Sequence, residues 1–213
     1  PIASNIAQQV ATWEADEGHG IILDLRGAGG QSLAAVDTIA GLVVEDEQHL
    51  YHIKDLQGDV VERHRSRGSA FCKIPLIVLT DCETRDAAEI LAAALKKQGR
   101  VMLVGSRTLG DATIRRPVPI SDQWSAVVAF CEVCLGEACV YDGDGVLPDV
   151  PVEVGGTTPP IDMSVKLGPN GRPLTEKALQ DRALMQRIGT DLVLRRAADI
   201  LLGLKALGEF DVA

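Results

Sequence analysis

Three short apolar runs, Ile21-Ile22-Leu23-Asp24-Leu25, Ile74 to Thr80 and Val101 to Gly105, punctuate the first half of the chain. They show little polar alternation, the pattern of strands covered on both faces of a parallel sheet. Helical spacing fills the gaps. Ile6, Val10 and Trp13 mark an opening helix over Ile2 to Glu17, stopped by Gly18 and Gly20. A glycine loop, Gly27-Ala28-Gly29-Gly30, leads from the first run to a helix expected from Ser32 to Leu42, and a further helix is expected from Asp86 to Gln98, stopped by Gly99. Strand, helix and strand within roughly thirty residues make a crossover unit. Sites in such folds lie at the strand ends.

Elsewhere the period changes to two. His49 to Ile53 and Val60 to Arg63 flank Gln57-Gly58-Asp59 and predict a hairpin on the edge of the sheet, whose histidines His49, His52 and His64 are expected to be solvated. Ile114 to Ile120 and Trp124 to Leu135 predict further strands, with a hairpin through Gly136. Gly155 to Pro173, rich in Gly, Pro and Thr, reads as an irregular connection. Leu179, Leu184, Ile188, Leu192, Leu201 and Leu204 mark one or two terminal helices, divided near Gly189-Thr190, for packing or for assembly of a homo-oligomer. The expected organisation is a core over 1–155, the connection over 156–173 and a helical element over 174–213.

Composition narrows the function classes. The 213 residues are 46% hydrophobic, ample for a buried core, yet no apolar run approaches the roughly 20 residues of a membrane helix. A net charge of −9 argues against nucleic acid as the partner. The one tight basic group, Arg63 to Arg67, is read as a solvated strand end. The chain opens at Pro1 with no initiator Met or apolar leader, so a fragment or processed form is expected. Five cysteines leave at least one without a partner in the chain. Cys131-x2-Cys134-x4-Cys139 lacks a second ligand pair, so no metal or other cofactor is expected; a Cys134–Cys139 bridge is expected in an exported protein and buried thiols otherwise.

Four segments together resemble a known family. Leu23-Asp24-Leu25-Arg26 with Gly29-Gly30, the turn from Pro75 to Ile90, the stretch Gly99-Arg100-Val101 to Thr108-Leu109-Gly110, and Gly145-Val146-Leu147-Pro148-Asp149 are similar, in order and spacing, to the motifs of tail-specific (C-terminal processing) serine peptidases. The resemblance implies an α/β fold like that of crotonases and Clp-type proteases: a mostly parallel buried sheet flanked by helices, a β-rich segment and C-terminal helices. It implies polypeptide C-termini as partners, an extracytoplasmic compartment and, in many members, an upstream peptide-binding PDZ module. The implied chemistry is a Ser/Lys dyad with backbone oxyanion donors.

The register anchored on Glu89-Ile90 places Asp86 at the serine, and Thr108-Leu109-Gly110-Asp111-Ala112 places Asp111 at the lysine. Thr84, Cys82 and Ser106 lie nearby but lack an adjacent base. Asp86 has a structural reading, a helix N-cap with Glu89 as reciprocal partner, and Asp111 one as a loop residue balanced by Arg107, Arg115 or Arg116. The chemical alternative is a carboxylate pair acting as acid and base, or binding a hard cation. Gly29, Gly30 and Ala87 are the expected oxyanion and peptide-binding donors. The expectation is a non-proteolytic relative that binds polypeptide, with an Asp86/Asp111 hydrolase or an oligomerisation module as alternatives.

Overall fold

A computed structural model describes residues 20–68, 74–136, 138–139, 143–153 and 175–207, together with Gln8 and Thr12. In chain order its elements are β1 (Ile21–Asp24), α1 (Leu33–Ala40), β2 (His49–Asp55), β3 (Val60–Arg65), β4 (Leu76–Thr80), α2 (Asp86–Lys97), β5 (Val101–Gly105), β6 (Thr113–Ser121), β7 (Trp124–Leu135), β8 (Ala138–Cys139), β9 (Val150–Pro151), α3 (Glu176–Thr190) and α4 (Leu192–Leu207). Of the expected opening helix, only Gln8 and Thr12 are described, both helical; the connection over Gly155 to Pro173 lies outside the described residues.

The apolar runs form a parallel sheet in the order β1-β4-β5-β9. Every residue of β4 is buried, because helices cover both faces. Alternate side chains divide between two cores, as a period of two requires. Val78 and Leu103 join Val36, Ile90 and Leu91 on the α1/α2 side, while Ile77, Leu79 and Val104 meet Val193, Leu194 and Ala197 of α4. Burial of such side chains stabilises the fold by roughly 1.5–3 kcal/mol each.

The period-two segments form a second sheet, β3-β2-β7-β6, with β8 paired to β7. The His49–Arg65 hairpin therefore belongs to this antiparallel sheet rather than to the edge of the parallel one. Leu50 to Ile53 of β2 are all buried, whereas Val61, Glu62, Arg63 and Arg65 of the outer strand β3 are exposed. The histidines also depart from expectation. His64 is buried, with Nδ1 2.9 Å from Asp37 of α1, and it stacks on Tyr51, whose hydroxyl donates to the same carboxylate. Burial, then the Asp37 charge, push the Tyr51 hydroxyl up. His52 is also buried.

The terminal helices divide at Asp191, close to the predicted break. Its carboxylate accepts from the N–H groups of Val193 and Leu194 and receives a two-pronged contact from Arg26, at 2.9 and 2.7 Å. Burial opposes its charge, but the Arg26 fork and these N–H donors prevail and hold the carboxyl below its ordinary value. This contact ties α4 to the end of β1. Among the described residues no helix is long and apolar enough to cross a membrane.

Candidate functional site

Three loops at the ends of β1, β4 and β5 are tied together by backbone. Arg85 N–H donates to Ala28 O, Ala87 N–H to Gly30 O, Leu109 N–H to Thr84 O and Asp86 N–H to Asp111 O, all between 2.8 and 3.1 Å. Thr84 is the buried peg between them, donating to Leu25 O and accepting from the Asp81 N–H. The 108–111 loop is then fastened to α2 by Glu89. This fully buried carboxylate accepts from Gly110 N–H at 2.7 Å, from Asp111 N–H at 2.9 Å and from the Thr108 hydroxyl.

Glu89 is therefore not the reciprocal partner of a capping box. The N-cap of α2 is Arg85, in extended conformation and without a side-chain cap, and Asp86 is the first helical residue with φ +52°. That left-handed conformation is uncommon outside glycine, though Asp tolerates it better than most residues. A sharp strand-to-helix turn carrying one residue at positive φ is how α/β-hydrolases expose a nucleophile, with the side chain raised above the turn. Here the residue at positive φ is Asp86.

Arg115, near the start of β6, joins the two aspartates singled out in the sequence. Its guanidinium lies 3.3 Å from Asp86 Oδ1 and hydrogen-bonds Asp111 Oδ1. Asp111 also accepts from the Thr113 hydroxyl at 3.1 Å. Asp86 accepts from Gln31 Nε2 at 3.0 Å and, at 3.5 Å, from the Gly30 N–H, so one backbone donor of the glycine loop already faces an anion. The Asp86 side chain is only 13% exposed, against 29% for Asp111 and 31% for Arg115. Of the arginines considered for Asp111, Arg115 makes the contact; Arg107 turns to Asp144 and Arg116 lies over the Phe130 ring.

The remaining predicted positions are equally concrete. Gly29 packs against the turn: a Cβ there would stand 3.1 Å from Arg85 Cγ and 3.4 Å from Asp86 Oδ2. The Ala87 N–H is committed to Gly30 O. Among the possible substitute nucleophiles, Thr84 has its hydroxyl fully engaged in the core and Cys82 is a free, exposed thiol. Among the described residues no group of three or more His, Cys, Asp or Glu is arranged to hold a metal ion. The roles of Arg115 and Gln31 are not visible in the sequence. Arg115 is there one of three arginines near Asp111, and only the turn from the loop into β6 brings it to Asp86.

Comparison with known proteins decides the family. The model of peptidase family S41 matches residues 2–152. The chain belongs to peptidase family S41. Among curated S41 relatives, it is 30% identical over 153 residues to carboxyl-terminal-processing peptidase 3, chloroplastic, of Arabidopsis thaliana, a match covering 72% of this chain and 30% of that protein. It is 32% identical over 120 residues to carboxy-terminal processing protease CtpB of Bacillus subtilis (strain 168), covering 56% of this chain and 25% of that one. The photosystem II D1 C-terminal processing protease superposes with a TM-score of 0.64 at 29% identity, over 71% of this chain and 39% of that structure. The S41 chain thus spans less than a third of the curated relatives' length in these matches. The expected family and its α/β fold are both met.

Proposed function

We propose that this S41 domain is proteolytically inactive and binds or scaffolds polypeptide in the groove where its relatives cleave it. The supporting observation is the Asp86–Arg115–Asp111 arrangement on the strained turn at the start of α2. On the family register, Asp86 takes the place of the serine and Asp111 that of the lysine. Arginine stays protonated and cannot serve as a general base. A carboxylate locked against it is poorly placed to take a proton from water. The Gly29–Gly30 loop lies beside the same turn, where an extended polypeptide would meet backbone groups.

Disulfide-bonded Cys134, with Cys139 opposite it in the β7/β8 register, supports an oxidising, extracytoplasmic compartment. The relatives above are named as chloroplastic and bacterial processing enzymes.

The test pairs a cleavage assay with calorimetry, using a permanently unfolded protein as ligand. The expected result is binding without cleavage, and cleavage gained by Asp86→Ser with Asp111→Lys. Cleavage by the unmodified chain that is lost in Asp86→Ala would instead establish a carboxylate hydrolase. Absence of binding at about 1 mM, equivalent to about −4 kcal/mol, would sink the polypeptide-binding reading.

A further inference from the structure

The basic group around Arg63 has no role in the site described above, and the structure gathers more charge around it. In the β2/β3 register His52 stands beside Arg63 and His49 beside Arg65, so these pairs share a face. Lys54, two residues beyond His52, shares it too. The two imidazole rings lie 5.7 Å apart. From the far end of α2, Gln98 Nε2 donates to His49 O at 2.8 Å, and the neighbouring Lys97 is exposed.

The histidines report on this crowding. Burial and then Lys97, Arg65 and Arg63 lower the imidazole of His49; burial and then Lys54, His49, Arg63 and Lys97 lower that of His52. The side chains whose charges act on the two rings are all basic. Among the described residues, no carboxylate lies within ion-pair distance of Lys54, Arg63, Arg65 or Lys97. Among the described residues, Arg65 donates to a backbone carbonyl, that of Glu47. The acid nearest in register is Glu132 of β7, opposite Lys54 at one end.

We infer that this face of β2 and β3, with the end of α2, is a docking surface for an acidic polypeptide segment. Four cations without a carboxylate partner among the described residues, on a chain of net charge −9, are a concentrated local exception. Charge complementarity selects an anionic partner. From His49 to Lys54 the strand runs about 17 Å, the length of about five extended residues. A short acidic stretch fits that span, whereas a long polynucleotide would also meet the acidic remainder of the molecule. The surface is remote from Asp86, since α2 separates Lys97 from it by about 16 Å. It therefore stands or falls independently of the reading of the site.

Fluorescently labelled hexaglutamate, titrated with the full chain and followed by anisotropy, tests the assignment. Saturable binding is expected that weakens from about 20 mM to about 200 mM salt. Arg63→Glu with Lys97→Glu should weaken it about tenfold or more, and the neutral pair Arg63→Gln with Lys97→Gln by a smaller factor. Lys177→Glu with Lys205→Glu, an equal charge change on the exposed α3 and α4 surface, should leave binding within about twofold. Circular dichroism checks folding, and the exposed positions 63 and 97 make both pairs tolerable. No binding at about 1 mM chain, or equal loss in the control pair, overturns the proposal. Tighter binding of a twelve-nucleotide oligothymidylate than of hexaglutamate overturns the choice of polypeptide.

Discussion

Glu89→Ala removes the one acceptor shared by three donors in a place water does not reach. The carboxylate is fully buried and takes the Thr108 hydroxyl and the Gly110 and Asp111 N–H groups. A hydrogen bond to a charged group contributes about 1.5–3 kcal/mol, and a buried donor left unpaired costs about 1–3 kcal/mol. Relaxation of the 108–111 loop toward solvent recovers part of this, because Asp111 is already partly exposed. The expected net loss is about 3–5 kcal/mol, as for other broken buried polar networks. Glu89→Gln keeps one carbonyl oxygen as an acceptor but turns an NH2 toward an N–H donor, so a loss of about 1–3 kcal/mol is expected. Urea unfolding followed by circular dichroism measures both, with the slope compared to confirm that the same surface is exposed. A Glu89→Ala loss below about 1 kcal/mol, no larger than one ordinary neutral hydrogen bond, would refute the assignment of Glu89 as the fastener of this loop.

Gly105→Ala should unfold the domain or lower its melting temperature severely, because at φ +131° the new Cβ would stand 2.1 Å from Thr80 O in the adjoining strand; calorimetric melting reads it. Asp191 and Asp149 are both held below their ordinary value, Asp149 by Lys96 and the Leu103 N–H against the opposing effect of burial. A depressed folded-state value means the stabilisation is complete above the unfolded value near 3.9 and is lost as pH falls through the folded one. Stability should therefore drop with acid below about pH 4, and Asp191→Asn should flatten that acid limb in urea titrations. Native-state alkylation should modify Cys82 at once and Cys131 only on unfolding, as their exposed and buried positions require; equal rates by mass spectrometry would contradict the packing of β7.

The parts of the fold that were legible are those where one physical rule dominates. β4 and β5 stand out because burial on both faces demands an unbroken apolar run, and β7 begins and ends where its pattern predicts, Trp124 and Leu135. The hairpin of β2 and β3 was legible as a hairpin but not as part of a separate sheet, since alternation reports one buried face without identifying what covers it. The burial of His64 was hidden for a similar reason. Its partner Asp37 lies 27 residues away on α1, and no local spacing announces that contact. The site shows the same division. Motif register singled out Asp86 and Asp111, which share Arg115 in the structure, but the Asp-x-x-Glu spacing suggested a capping box that tertiary contacts override. Glu89 is drawn to the 108–111 loop, where three donors await it, rather than to the helix start.

Why a carboxylate at position 86 is compatible with so specialised a turn follows from what holds the turn. The left-handed backbone is fixed by Asp86 N–H to Asp111 O and by Ala87 N–H to Gly30 O, bonds that do not involve the side chain. The geometry can thus outlast a change of side chain, provided the newcomer tolerates positive φ. Asp does so better than most residues. It also sets negative charge at a helix N-terminus, where the macrodipole favours it by about 0.3–1 kcal/mol. What remains is the charge of a side chain only 13% exposed, and Arg115 and Gln31 answer it. Arg115 contacts Asp111 as well, so one guanidinium links the two aspartates. Backbone bonds thus hold the turn, while Asp86, Arg115 and Asp111 form an ion-pair cluster beside it. On the function proposed above, the contacts that stabilise this turn are the same ones that would leave it without peptidase chemistry.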